Sequence, residues 1–326
     1  MFYLLCLCLI LAVMFIVFML TALTSLPALR VLLAYRHLVR AGTAANFLFI
    51  IRALPLVLGI VASLGLALPA FWEFEPSATH EMPGPVLLLL AGLGVLMIVG
   101  MFWRISRSVW VTLSLQRMWL KNASPLAENF KGIPVFCVKD SASLVAVAGI
   151  FVPRIFLSQD VADVLNTEEL NAALAHELAH VSTKDSLRQF VLKMMPRPQF
   201  LPFLSDIDSL WSSTSELAAD ERAIVKGTSP LDLSSALIKV GRLSFQRGST
   251  LLAASHLVDG CSSATHVRAG HLRHLLEHGV SPEQANPTRR WTRGWTACAA
   301  VVLLLYLLAL WTLLPEVHDA LEFIVR

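Results

Sequence analysis

The chain has 326 residues, of which 56% are hydrophobic and only 15% charged, and its mean hydropathy is +0.66. Soluble domains carry about 25% charged residues, so part of this chain belongs in lipid. A net charge of +3 without a dense Lys/Arg run gives no reason to expect a nucleic-acid partner. The 5 cysteines form neither a disulfide framework nor a Cys-x-x-Cys knuckle, which suits a reducing compartment.

Taken in chain order, the first elements are three apolar stretches, Phe2 to Leu26, Asn46 to Phe71 and Pro85 to Trp103. Each is long enough to cross a bilayer, which takes about 20 helical residues. The first has no basic residue ahead of its apolar run and no Ala-x-Ala site, so it reads as a retained span, not a cleaved leader. Pro55 and Pro69 are tolerated kinks within a bundle. Arg52 lies inside the second apolar run. Two readings of it stand: snorkelling to the interface, or a contact with the domain that follows.

Residues 104–293 have ordinary soluble composition, enough for one domain with its own core. Arg104 to Lys121 continues the third span as helix. Pro134 to Lys139, Leu144 to Ala148 and Arg154 to Leu157 are short β-rich runs that predict a small sheet. Asn166 followed by Glu169 is a capping box opening an Ala-rich helix through Val181, and Ser182 to Met195 is helical up to Pro196. A further helix is expected from Ser213 to Lys226, closed by Gly227, and Pro230 to Glu277 reads as mostly helical. Thr296 to Leu314 is a fourth apolar span.

Positive charge orients these spans. Arg30, Arg36 and Arg40 follow the first, Arg104, Arg107, Arg117 and Lys121 follow the third, and Arg289, Arg290 and Arg293 precede the fourth. Glu73, Glu75 and Glu81, and Glu316, Asp319 and Glu322, lie on the other side. The expected arrangement is a multi-pass protein of the cytoplasmic membrane with both termini outside and residues 104–293 in the cytoplasm. Residues 1–103 then hold three spans, and 294–326 hold the fourth and a short tail.

The chemistry centres on His176-Glu177-Leu178-Ala179-His180. On a helix, His176 and His180 project from one face, so both imidazoles can reach one Zn²⁺ at about 2.0–2.1 Å. Glu177 is rotated about 100° away from His176, in position to take a proton from a water at that metal. A catalytic zinc needs a third protein ligand and an open position. Glu216, on the next predicted helix, fits the ligand role, and Asp220 one turn on could accept a hydrogen bond from a ligand imidazole. His256, His266 and His271 are candidates for stabilising a tetrahedral oxyanion, although surface or capping roles are the plainer reading of each. His271, His274 and His278 at helical spacing are a weaker candidate for a second metal site. Lys184, Arg222 and Arg268 read as solvated or paired, and Arg154 as a residue near the substrate cleft. Ser143 and Ser158 lack His/Asp partners, which rejects a serine hydrolase.

Ala148 to Ser158, Glu169 to Val181, Asp185 and Glu216-Leu217-Ala218-Ala219-Asp220 resemble the BlaR1/MecR1-type membrane zinc peptidases (family M56). The related Ste24/HtpX-type peptidases (family M48) share the last two elements. Three spans, a cytoplasmic protease domain and a fourth span favour the first family. The resemblance implies a mostly α fold with a small β-sheet, a polytopic membrane protein with four transmembrane helices and a gluzincin-type domain. It implies one Zn²⁺ per chain on His176, His180 and Glu216, Glu177 as catalytic base, and Asp220 and Asp185 as residues behind the ligands. Ser182-Thr183-Lys184 and Ala219 depart from the family pattern without touching a ligand. The short stretch after span four leads us to expect no extracellular penicillin-binding sensor, so the resemblance supports the protease but not β-lactam sensing.

The expected function is a zinc metalloendopeptidase acting on a cytosolic or membrane-proximal protein, a repressor or the chain itself. Quality control of membrane proteins, as in the HtpX/Ste24 type, is the alternative enzyme. An inactive scaffold with a protease fold is the alternative outside that class, and the intact Glu177 argues against it. Lys184, Asp185 and Arg188 argue against an intramembrane site. Partners are a protein or peptide substrate and the lipid bilayer; the sequence sets no oligomeric state.

Overall fold

The computed structural model describes residues 1–35, 39–75, 82–121, 123–125, 130, 132–138, 145–148, 154–246 and 262–278. The N-terminal third is three long helices. Helix α1 is Phe2–Ala34; α2 (Ala41–Ala62) continues through one π-helical turn, Ser63–Ala67, into α3 (Leu68–Phe74); α4 is Pro85–Lys121. All three are long and apolar enough to cross a membrane, the mark of a membrane protein. The expected fourth span lies outside the described residues.

Small residues let the helix backbones approach, as membrane packing requires. A Cβ placed on Gly94 of α4 would lie 2.6 Å from the Leu11 carbonyl oxygen of α1, and one on Gly59 of α2 would lie 3.0 Å from that of Met14. Each helix is also longer than a bilayer is thick. The 33 residues of α1 extend about 50 Å at 1.5 Å per residue, against a hydrocarbon core of about 30 Å. Phe18, Ala22, Leu29, Ala45, Leu48 and Leu56 of α1 and α2 share a buried cluster with Leu192, Met195, Leu201, Leu204, Ile207 and Trp211 of the following domain.

Beyond α4 lies a four-stranded sheet of β1 (Ala123–Pro125), β2 (Val135–Val138), β3 (Val145–Ala148) and β4 (Arg154–Ser158), in the order β1-β2-β4-β3. β2 runs parallel to β4; β1 and β3 are antiparallel edges, with Val147 opposite Ile155. Three of these strands were expected. β1 was not, because Ala-Ser-Pro has no β-branched or aromatic residue to announce it.

Six described helices follow the sheet in chain order. Ser158 caps α5 (Gln159–Val164), its Oγ accepting from Val161 N at 3.4 Å. Helix α6 (Thr167–Thr183) opens on the expected capping box: Glu169 N donates to Asn166 Oδ1 at 2.7 Å and Asn166 N to Glu169 Oε2 at 2.9 Å. Lys184, at φ 56°, turns the chain into α7 (Asp185–Met194). Helix α8 is Phe203–Val225, ended by Gly227 at φ 98°; α9 is Pro230–Gln246 and α10 is Ser262–His278. Helix α8 begins ten residues before the expected Ser213, directly after Pro202, which occupies its N-cap. The main core joins β3 and β4 to α6, α9 and α10 through Val145, Leu157, Ala172, Ala173, Leu233 and Leu272.

Candidate metal centre

Helix α6 has one face against the sheet and another against α8, so its centre is sealed from solvent. His176, Glu177 and His180 are all buried there. The two imidazoles stand edge to face with ring centroids 4.8 Å apart, and their Nε2 atoms are 3.2 Å apart. Glu216 comes from α8: its Oε2 lies 3.3 Å from His176 Nε2 and its Oε1 3.5 Å from His180 Nε2. One donor atom from each of the three lies within 4.8 Å of the others, a grouping that could hold a metal ion.

The other ring nitrogens face carboxylates. His180 Nδ1 is 2.9 Å from Asp185 Oδ2, and His176 Nδ1 is 2.8 Å from Asp220 Oδ1. A carboxylate accepts, so each neutral ring carries its proton on Nδ1 and presents a lone pair at Nε2. Two lone pairs and a carboxylate thus converge in a dry site, an arrangement that calls for a cation. The protein's own charges show the same demand. Burial disfavours imidazolium in both rings, yet Glu216 and the Asp185 hydrogen bond push His180 up to about 10, and Asp220 pushes His176 up too. The donor set therefore fits a metal, which would satisfy at Nε2 what otherwise only a proton could.

A third layer is supplied by α10. Arg268 is buried; its Nε and Nη2 donate to Asp220 at 3.0 and 2.7 Å, and its Nη1 lies 3.2 Å from Glu216 Oε2. Burial pushes the Asp220 carboxyl up, but Arg268 first and His176 next reverse this and hold it below its usual value. Burial also opposes Asp185, which its hydrogen bond to His180 holds low. Of the two readings given to Arg268 by sequence, paired is the one seen. Its place behind the ligands was missed, since nothing local marks an arginine 48 residues beyond its partner.

Glu177 lies between the ligand cluster and the sheet, its charge acting on His180 and Arg268. Its Oε2 accepts from the Val147 N–H of β3 at 3.2 Å, and its Oε1 is buried with no hydrogen-bond partner among the described residues. Because Val147 spends its N–H on Glu177, the outer edge of β3 lies directly beside that carboxylate.

The remaining candidates lie elsewhere. His271 Nε2 is 3.3 Å from Glu221 Oε1, outside the ligand cluster. His256 and the side chains of His266 and His278 lie outside the described residues. Arg154 lies over the Phe136 ring at 5.9 Å, and Arg222 Nη1 reaches Thr183 Oγ1 at 3.5 Å. Arg52 makes the contact that sequence offered as the alternative to snorkelling: it is buried and donates to Asp208 of α8 at 3.0 Å.

Residues 110–247 match the model of Peptidase family M48. The match runs from the end of α4 to the end of α9, taking in the sheet, both histidines, Glu177, Glu216 and Asp220. It supports a metallopeptidase domain of that family, the one sequence had placed second, and does not extend to family M56. No curated protein and no solved structure matches the chain.

Proposed function

We propose that this membrane-associated metallopeptidase is a zinc endopeptidase of the gluzincin type, with His176, His180 and Glu216 as ligands and Glu177 as general base. The observation that carries it is the convergence of two Nε2 lone pairs and the Glu216 carboxylate in a buried site with Glu177 alongside. Two imidazoles and one carboxylate are the ligand set of hydrolytic zinc sites that keep one position open. When bound there, the metal would supply Lewis acidity, lowering the pKa of a water toward about 7 and polarising the scissile carbonyl.

The chain's own groups would do the rest. Asp185 and Asp220 fix the tautomer and tilt of each ring, and Arg268 keeps Asp220 ionised and oriented. Glu177 takes the proton from the attacking water and passes it to the departing amine. Its Oε1 is the atom available for this, since Oε2 is held by Val147 N. An extended peptide adding to the outer edge of β3 would place its backbone beside Glu177. Asp220 and Asp185 carry no proton in the reaction; they are positioning residues.

The basic residues flanking the spans support a cytoplasmic domain, with residues 104–293 forming it and both termini outside. A cytosolic or membrane-proximal protein, a repressor or the chain itself, is then the substrate. The M48 match favours a second reading of the same chemistry, turnover of damaged membrane proteins. The experiment is cleavage by purified Glu177→Ala protein. It should retain zinc and lose proteolysis, and persistent proteolysis would overturn the assignment. A single defined product from the wild-type enzyme supports regulation; broad degradation of unfolded membrane proteins supports quality control.

A further inference from the structure

Where the apolar helices join the domain, Arg52 and Arg197 pair with one carboxylate, Asp208, and Arg104 bonds the loop that carries Arg197. Arg52 of α2 donates from Nε to Asp208 Oδ1 at 3.0 Å and from Nη2 to the Pro196 carbonyl at 2.8 Å. Arg197, in the loop between α7 and α8, places Nε 2.8 Å from Asp208 Oδ2. Arg104 of α4 donates from Nη1 to the Met195 carbonyl at 2.8 Å and from Nη2 to the Arg197 carbonyl at 3.2 Å. The charges acting on Arg104 are those of Arg197 and Asp208, so the group is one electrostatic unit. Three cations against one anion leave a surplus of positive charge, and Arg52 Nη1 is buried with no hydrogen-bond partner among the described residues.

The depth of this unit follows from the sequence. Ala53 to Trp72, immediately after Arg52, is an uncharged run of about 20 residues, the length that fills a hydrocarbon core. Pro85 to Trp103, immediately before Arg104, is another such run. Arg52 and Arg104 therefore mark the same boundary on two helices, the level where lipid phosphates lie. Arg197 is 36% exposed at that level, and Phe200 of the same loop is 66% exposed, an apolar side chain suited to the acyl region beside a headgroup.

We propose that Arg197 and Arg104, with the buried charge of Arg52 behind them, form a binding site for the phosphate of an anionic phospholipid. Excess positive charge at this depth, with guanidinium donors that match phosphate oxygens, selects a lipid with net negative charge over a zwitterionic one, which brings its own cation. Basic pockets between membrane helices recognise headgroups in this way. Asp208 and Glu216 lie on the same helix, so an occupied site would also steady the helix that delivers Glu216; that consequence alone rests on the proposed function.

The test is native mass spectrometry of the full-length protein in detergent. Phosphatidylglycerol and phosphatidylcholine of identical acyl chains are added in parallel, with inorganic phosphate as a competitor. The wild type should retain phosphatidylglycerol preferentially, and Arg197→Ala should weaken that retention about fivefold, the value of one arginine at a charged lipid surface. Arg273→Ala, which removes an exposed arginine on α10, should leave it unchanged. Arg104→Gln provides an independent second variant if Arg197→Ala protein does not fold. Equal retention of the two lipids, or undiminished retention in a folded Arg197 or Arg104 variant, would overturn the proposal. Displacement of the lipid by millimolar inorganic phosphate would also overturn it, by assigning the site to free phosphate. None of these readouts depends on peptidase activity.

Discussion

Replacing Asp220 by Asn keeps the shape of the side chain while removing its charge. In the wild type, Asp220 accepts two bonds from Arg268 at 3.0 and 2.7 Å and faces His176 Nδ1 at 2.8 Å. The substitution leaves Arg268 buried with one carboxylate in reach, Glu216, to which its Nη1 is already 3.2 Å away. The guanidinium would then compete with a metal for Glu216, and His176 would lose the anion that fixes its tautomer. Breaking one side of a buried ion pair costs about 3–5 kcal/mol, and loss of a group orienting a metal ligand costs about 10–100-fold in metal affinity. Both are measurable on one preparation, the first by urea unfolding of zinc-free protein and the second by competition with a chromophoric chelator. The double variant Asp220→Asn/Arg268→Met separates them. Removing both charges should restore most of the stability, since apolar replacement of a buried pair is close to neutral, while zinc affinity stays low. An Asp220→Asn protein with wild-type stability and zinc affinity would refute the reasoning.

Glu177→Gln should bind zinc as tightly as the wild type and lose about 10²–10⁴-fold in kcat, the usual contribution of a general base, as measured on a fluorogenic peptide. Gly94→Val should loosen the contact of α4 with α1, because its Cβ would sit 2.6 Å from the Leu11 carbonyl oxygen; a loss of about 1–3 kcal/mol, read as a lower Tm in detergent, is expected. Glu169 is lowered to about 2 by hydrogen bonds from Lys239 and Ser235. Its folded pKa lies below its unfolded value, so its contribution is complete above about pH 4.3 and is lost as pH falls toward 2. Glu169→Gln should therefore destabilise zinc-free protein at pH 6 and about half as much at pH 3, and equal destabilisation at both would count against that network.

What the sequence announces, it announces through local rules. The spans are long apolar runs, and α6 starts where Asn166 and Glu169 sit three residues apart, a geometry that closes on itself. His176 and His180 face the same way because four residues make about one helical turn. The first half of α8 was hidden by Pro196, Pro198 and Pro202, which punctuate the segment as a loop although the last of them caps a helix. Arg268 with Asp220 and Arg52 with Asp208 were hidden for a different reason. Their partners are 48 and 156 residues away, and only the packing of α10 and α2 against α8 brings them together. Both arginines look like surface or snorkelling residues until that packing is known.

Peptide hydrolysis at this site requires His176, His180 and Glu216 to bind one zinc ion together, so the most direct measurement is the zinc content of purified protein by plasma mass spectrometry. Wild-type chain should carry about one zinc per molecule, the content of a mononuclear hydrolytic site. His180→Ala should carry none while keeping its helical circular dichroism. Absence of stoichiometric zinc in the wild type, or its retention in a folded His180→Ala protein, would contradict the metal centre and the peptidase mechanism built on it.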